Sequence, residues 1–483
     1  MQKIKNLNYL RKSIIVIGLL TILRLILACF LGLDGGPAYY AMWSRNLELS
    51  YFDHPAMTAI LIRLSTDIFG WNSFGIKFPA IMLFLGMTII MYKSIKLLGG
   101  NDKGAFYATT LFNLTPWIAS SFGIKGGNPD IPFLFFYISA FYFFLKLYKT
   151  GNSNYWYLIG ISTAFGLTSK YKMILIYPAL FLCLIFIPKL KKEWKKPQLY
   201  ISGFFALIGI VPSIIWNINN DFASFSYHLI ERQGTFSFKP LQYLKFIGNQ
   251  IAIMGIFIPI ILFKNAYKER KNEKVKCCIF FCLPALIVFS IASLFFGQAM
   301  QNWWASVYMI LFIAYGLTKS LNKYDKGILY FTAFISLLGT IFYTYPFGVR
   351  LKETTNFLDH HLFDKASKHL AQIIEKRKQE GKEIFIGTPR YRTTAMLSVN
   401  MPNQKIYSMD YRKGDQFQIW YNPKELIGKD VIYIAGGSQT KQKPENIFNA
   451  NKIILFDTQI YEYSPWFKRT FYFYELKGYK GLK

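Results

Sequence analysis

Long apolar stretches separated by short polar segments fill the first 345 residues of the chain. About twenty apolar residues in helical form cross a bilayer. By that measure the runs at 13–33, 76–97, 105–122, 132–147, 155–168, 173–187, 199–216, 244–263, 277–296, 304–317 and 328–345 read as about eleven spans. The runs at 155–168 and 173–187 are short enough to form a re-entrant pair, which leaves the parity unchanged. The first run follows Lys3, Lys5, Arg11 and Lys12 and resembles a signal peptide in its flank. It is long enough to span and lacks a small-residue cleavage site, so it reads as an uncleaved first helix.

From about residue 346 the pattern changes. Charged residues become frequent, and turn signals appear at Gly387, Asn403 and Gly436-Gly437. The spacing predicts an amphipathic helix over 365–382 and strands at 383–386, 431–434, 453–456 and 471–474. The expected fold class is therefore mainly α. Residues 1–345 form a polytopic membrane helical bundle and residues 346–483 a small C-terminal α/β domain.

Charge sets the expected sidedness. Lys189, Lys191, Lys192, Lys195 and Lys196 follow the sixth run. Lys264, Lys268, Arg270, Lys271, Lys274 and Lys276 follow the eighth, and Lys319, Lys323 and Lys326 the tenth. All fall on the side of the basic amino terminus, which is thereby cytoplasmic. The loops at 34–75, 123–131, 169–172, 217–243 and 297–303 then face outward. An odd number of spans puts the carboxy-terminal domain on the outer, periplasmic face as well.

Composition narrows the function classes. The 483 residues are 53% hydrophobic and 18% aromatic, with a formal net charge of +30. That charge alone suits nucleic acid, anionic lipid or topology. The apolar runs select the membrane readings and argue against a nucleic-acid partner. The five cysteines, Cys29, Cys183, Cys277, Cys278 and Cys282, all lie inside apolar runs. None has metal-site spacing, and they read as packing residues.

The outer loops carry the candidate chemistry. The first reads Asp34-Gly35-Gly36-Pro37-Ala38-Tyr39-Tyr40, then Tyr51-Phe52-Asp53-His54-Pro55. It is too long for a connector, and long loops are usually functional. Its aromatics also suit a membrane–water interface. Asp34, at the end of an apolar run and before two glycines, sits where backbone can approach a ligand closely. The second loop reads Lys125-Gly126-Gly127-Asn128-Pro129-Asp130. Asp130 alone is readily explained as a helix N-cap. Two aspartates on consecutive outer loops make a stronger signal. Ser169-Lys170-Tyr171, then His228 and Arg232, then Asn302-Trp303-Trp304 complete the polar outer set. Sparse carboxylates among several cations fit an anionic phosphate substrate.

In that order, these motifs resemble the membrane-embedded GT-C glycosyltransferases related to protein O-mannosyltransferases. Bacterial relatives of that kind include lipid A aminoarabinose and galacturonic acid transferases. The resemblance covers roughly the first 345 residues. It implies a polyprenyl-phosphate sugar donor and transfer on the outer side of a bacterial inner membrane, with lipid A, lipopolysaccharide or another envelope glycan as acceptor. It implies catalytic roles for Asp34 and Asp130. It implies substrate contacts for Tyr39, Tyr40, Asp53, His54, Lys170, Tyr171, Asn302 and Trp303. Lys125, His228 and Arg232 join them as substrate-binding candidates on the chemistry of the outer loops alone, since cations there suit a departing phosphate. Two departures stand out: Asp34-Gly35 replaces the family's Asp-Glu, and Asn128 replaces a threonine.

A hydroxyl acceptor needs a general base, whereas a phosphate acceptor is already an anion. The role of Asp34 follows the acceptor. A divalent cation is compatible with the chemistry, but no ligand cluster identifies a site. The rival classes are a protein O-glycosyltransferase, a lipid-linked sugar flippase, an oligosaccharide polymerase or ligase, and a sugar-binding scaffold. A transporter would require polar residues through the midplane, and here they gather at one edge.

Overall fold

The computed structural model describes residues 2–231, 235–298, 300–318, 323–344, 357–410, 414–436, 443–464 and 467–483. The bundle begins with α1 (Gln2–Phe30), α2 (Gly35–Arg45), α3 (Met57–Phe69), α4 (Ser73–Leu97) and α5 (Asp102–Leu114). A short α6 (Pro116–Ile118), α7 (Asp130–Thr150), α8 (Tyr155–Leu167), α9 (Ile176–Phe186), α10 (Pro197–Asn219) and α11 (Ala223–Ser226) follow. It continues with α12 (Pro240–Met254), α13 (Phe257–Lys268), α14 (Glu273–Phe296), α15 (Ala305–Gly316) and α16 (Lys323–Thr344).

This is a multi-pass membrane protein. Among the described residues, five helices are long and apolar enough to cross by themselves, and seven if each sharply bent pair counts as one span. Those pairs bend by 112° after Phe186 and by 103° between α12 and α13. The other expected runs fall on the shorter helices α5, α8 and α15 and on α16. A count by length therefore stops short of eleven.

Polar and small residues join the helices where apolar contact alone confers no preference. Arg24 of α1 donates to Asn113 Oδ1 of α5 at 2.8 Å, and Asn113 donates to Thr88 of α4 at 3.0 Å. α8 and α10 pack closely because a Cβ at Gly160 would fall 2.7 Å from Ser202 Cα, and one at Gly209 2.5 Å from Ala164 Cα.

Past the bundle come α17 (Phe357–Gln379), β1 (Phe385–Thr388), α18 (Tyr391–Asn400), β2 (Tyr407–Ser408), α19 (Gln416–Trp420) and β3 (Val431–Gly436). A long hairpin, β4 (Phe448–Ser464) and β5 (Phe467–Leu482), ends the chain. The sheet order is β2-β1-β3-β5-β4, parallel on the β1 side and antiparallel from β3 onward. The expected helix and all four expected strands are present. The helix starts earlier than its polar pattern suggested, and the last two strands are several times longer than their apolar cores. The expected boundary at residues 345–346 lies at the edge of the undescribed stretch 345–356.

The sheet does not stand apart from the bundle. One apolar core joins Leu33, Tyr39, Trp43, Tyr51, Ile62 and Ile76 to Leu362, Leu370, Ile386, Met396, Phe417, Ile434 and Phe473. α2 and α18 pack side by side within it. The first long loop is thus clamped between helices and sheet, and that clamp positions the site.

Candidate functional site

Asp34 sits at the break between α1 and α2. Its extended backbone and its side chain cap α2, with Oδ1 accepting from Gly36 N at 2.8 Å. Such a cap satisfies one of the helix's unpaired donors. Buried Lys77 secures the other side of the break by donating to the Leu31 and Gly32 carbonyls at 2.8 and 2.7 Å. Lys125 reaches Asp34 Oδ2 at 3.3 Å. It comes from the second loop, where Gly126 and Gly127 take left-handed φ values of +63° and +55°. Only glycine adopts these without strain, and a Cβ at Gly127 would lie 3.3 Å from Pro37.

Ser50 and Pro55 pair as an isolated antiparallel bridge, so Asp53 and His54 occupy the tip of a tight loop. Tyr51 holds its base by stacking on Trp43 at 4.3 Å. The Tyr39 hydroxyl donates to Asp53 Oδ2 at 2.7 Å and accepts the Gln416 amide at 2.8 Å. The Gln416 side chain in turn accepts from Phe52 N at 2.8 Å. Glu48 accepts from the indoles of Trp216 and Trp420, which joins α10 to α19 through the same loop. Burial, then the Asp53 charge, push the Tyr39 and Tyr40 hydroxyls well above their ordinary pKa. Both stay protonated and remain donors.

The second cluster centres on Asp130. It is the first residue of α7, but its carboxylate does not cap that helix. It accepts from Lys170 Nζ at 2.7 Å, Lys172 Nζ at 2.7 Å and Asn302 Nδ2 at 2.5 Å. The N-cap explanation of Asp130 is thereby overturned: two ammonium groups outcompete backbone amides for its oxygens. These side chains are nearly buried, at 9–12% exposure for the carboxylate and the two lysines. Two cations against one anion leave a net positive charge. It faces a cavity of about 220 Å³ lined by His54, Lys170, Tyr171, Lys172, His228, Asn302 and Trp303 among others. His54 and His228 stack at 5.9 Å, and His228 Nε2 lies 2.8 Å from the Asp53 carbonyl oxygen.

Most sequence-derived candidates therefore converge. His54, Lys170, Tyr171, His228, Asn302 and Trp303 line one cavity, with Asp130 behind the lysines. Asp34 and Lys125 form a separate pair outside that lining. Tyr40, whose ring centroid is 6.2 Å from that of His54, experiences the charges of Asp53 and Asp130. Arg232 lies outside the described residues. Sequence reasoning missed Lys172, Glu48, Gln416 and Arg392. The signal for Lys172 is its spacing two residues from Lys170; the last two come from the carboxy-terminal domain, which carries none of the loop motifs. Among the described residues, no group of three or more His, Cys, Asp or Glu is placed to hold a metal ion.

Residues 53–216 match the sequence profile of the family described as dolichyl-phosphate-mannose-protein mannosyltransferase. The lipid A galacturonosyltransferase RgtD of Rhizobium johnstonii is 21% identical over 280 residues, 56% of this chain. The chain spans 57% of that relative's length. ArnT from Cupriavidus metallidurans, in its apo crystal structure, superposes with a TM-score of 0.63 at 10% identity, over 95% of this chain and 97% of ArnT. The form bound to undecaprenyl phosphate gives 0.64 at 9% identity, with the same coverage. The archaeal oligosaccharyltransferase AglB from Archaeoglobus fulgidus gives 0.53 at 11% identity, over 89% and 69% of the two chains. The chain has the fold of the GT-C membrane glycosyltransferases. The resemblance drawn from the loop motifs is met by the sequence matches and by the fold, which extends through the carboxy-terminal sheet.

Proposed function

We propose that the protein is a glycosyltransferase that moves a sugar from a polyprenyl-phosphate donor to lipid A, lipopolysaccharide or another envelope glycan, on the outer side of a bacterial inner membrane. The observation that carries this is the half-neutralised lysine pair on Asp130, facing a cavity beside the Asp53-His54 tip. A cationic, desolvated cleft stabilises charge developing on a leaving phosphate. The ArnT relative bound to undecaprenyl phosphate and the lipid A specificity in the name of RgtD support the donor and acceptor classes.

In this reading an acceptor oxygen attacks the sugar's C1, the C1–O bond to phosphate breaks, and the lipid phosphate departs as the anion. Lys170 and Lys172 meet the charge it gains. The transition state has oxocarbenium character, as in glycoside hydrolysis. Asp34 takes the proton of a hydroxyl acceptor. For a phosphate acceptor it orients the incoming group together with Lys125. The protonated Tyr40 hydroxyl supplies a further donor.

The orientation belongs to the same proposal. The basic stretch Pro188–Lys195 precedes α10, whose far end carries Trp216 on Glu48. The basic start of α14 likewise lies a helix length from Gln298 at the cavity. Basic residues at the opposite end from the site support a cytoplasmic amino terminus and an outward-facing site and sheet.

The test is purified protein with an undecaprenyl-phosphate sugar and lipid A. Release of undecaprenyl phosphate coupled to acceptor glycosylation supports the reading. Movement of the donor across vesicles without bond cleavage overturns it in favour of a flippase.

A further inference from the structure

α18 lies along α2, the helix that Asp34 caps and that carries Tyr39 and Tyr40. Its first residue, Tyr391, packs its ring 4.7 Å from that of Tyr39. The next, Arg392, donates from Nε to the Tyr391 hydroxyl at 3.1 Å and is solvent-exposed. The other cations here are engaged: Lys125 with Asp34, Lys170 and Lys172 with Asp130, and Lys77 with backbone carbonyls. Among the described residues, the Arg392 guanidinium has no carboxylate within ion-pair distance, and its hydrogen bond to Tyr391 uses one of five donors. The adjacent Tyr391, and beyond it Asp34 and Tyr40, hold the guanidinium firmly protonated.

We propose that Arg392, presented by the sheet domain, recognises an oxyanion on one of the two groups being joined, either the carboxylate of an acidic sugar or a phosphate of the acceptor. A planar guanidinium with free parallel N–H donors matches such a group in a two-pronged way that a lysine does not. Tyr391 holds one edge of that plane and leaves the rest for ligand. The carboxy-terminal domain then acts in substrate choice, while the lysine pair of the bundle serves the donor phosphate. The inference rests on the glycosyltransferase reading and deepens it.

The experiment compares wild type, Arg392→Ala and Arg392→Lys on two matched pairs of substrates. One pair is undecaprenyl phosphate carrying a uronic acid or the corresponding neutral hexose. The other is lipid A with and without its phosphates. Within one variant the ratio of kcat/KM for the charged and neutral members is independent of how much protein folds. The expected result is a loss of about tenfold or more for Arg392→Ala on the charged member of one pair alone, with partial recovery in Arg392→Lys. The sugar pair assigns the carboxylate, and the acceptor pair the phosphate. An equal loss on all four substrates, as from an arginine that merely offsets Asp34, overturns the inference, as does no loss. Failure of the wild type to release undecaprenyl phosphate from any donor sinks the glycosyltransferase reading itself and the inference with it.

Discussion

Lys172 Nζ lies 2.7 Å from Oδ1 of Asp130, on the carboxylate oxygen that Lys170 leaves open. The two lysines are thereby fixed with one excess charge toward the cavity. Lys172→Met should remove that excess while leaving Lys170–Asp130 a neutral pair. Transfer is expected to fall about 100-fold, an effect of the size seen when one donor to a developing anion is removed. Asp130→Asn leaves two nearly buried ammonium groups unbalanced, and breaking a buried pair costs about 3–5 kcal/mol. Thermal unfolding should therefore separate the variants: Asp130→Asn melts early and Lys172→Met does not. Unchanged transfer in Lys172→Met would remove the phosphate subsite from the mechanism.

Asp34 combines a structural and a chemical duty, and two substitutions separate them. Asparagine caps helices as well as aspartate, so Asp34→Asn should preserve the start of α2 and the protein's melting temperature. Losing a general base costs about 10²–10⁴-fold, and transfer to a hydroxyl acceptor should fall by that much. Asp34→Ala should lose the same activity and, in addition, about 1 kcal/mol of stability from the missing cap. Near-normal transfer by Asp34→Asn would confine this residue to capping.

The Tyr39 hydroxyl connects the Gln416 amide to Asp53, and so joins two segments almost 380 positions apart. Tyr39→Phe keeps the ring contacts with Trp43 and Tyr391 but strands a buried amide. A lost partner of that kind costs about 1–3 kcal/mol. The expected outcome is faster amide exchange in α19 and in the loop bearing Asp53, with a lower rate of transfer. Identical exchange in both segments would mean that the sheet does not position the loop.

These contacts also mark where the sequence stops being legible. Helical spans declare themselves locally, because twenty apolar residues in a row have few other solutions. The Asp34, Asp53-His54, Asp130 and Lys170 motifs were legible as chemistry on consecutive loops. Their partners were not. Gln416 and Arg392 stand in a polar segment with ordinary composition, and only the shared core of α2 and α18 brings them to the first loop. Asp130, taken alone, reads as a cap for the same reason. Its lysine partners lie 40 and 42 positions away, and no local pattern shows that they outcompete the helix amides.

His360 yields a prediction about pH. It packs on Gly32, where a Cβ would meet its ring, close to the Lys77 that secures the end of α1. Burial, then the neighbouring charges of His361 and Lys77, depress its pKa from 6.5 to about 4. A histidine with a depressed folded-state pKa binds its proton more weakly when folded. Its contribution is therefore fully present above pH 6.5 and is lost as pH falls from there toward about 4. The loss over that window amounts to about 3 kcal/mol at most. Denaturant unfolding of the wild type should show stability declining as pH falls from 6.5 to about 4. Asp364 is the acidic neighbour that acts on His360 in the opposite sense, and Asp364→Asn should leave the decline in place. His360→Gln, which cannot titrate, should flatten that part of the curve. A decline of equal depth in His360→Gln would assign the acid sensitivity to other groups.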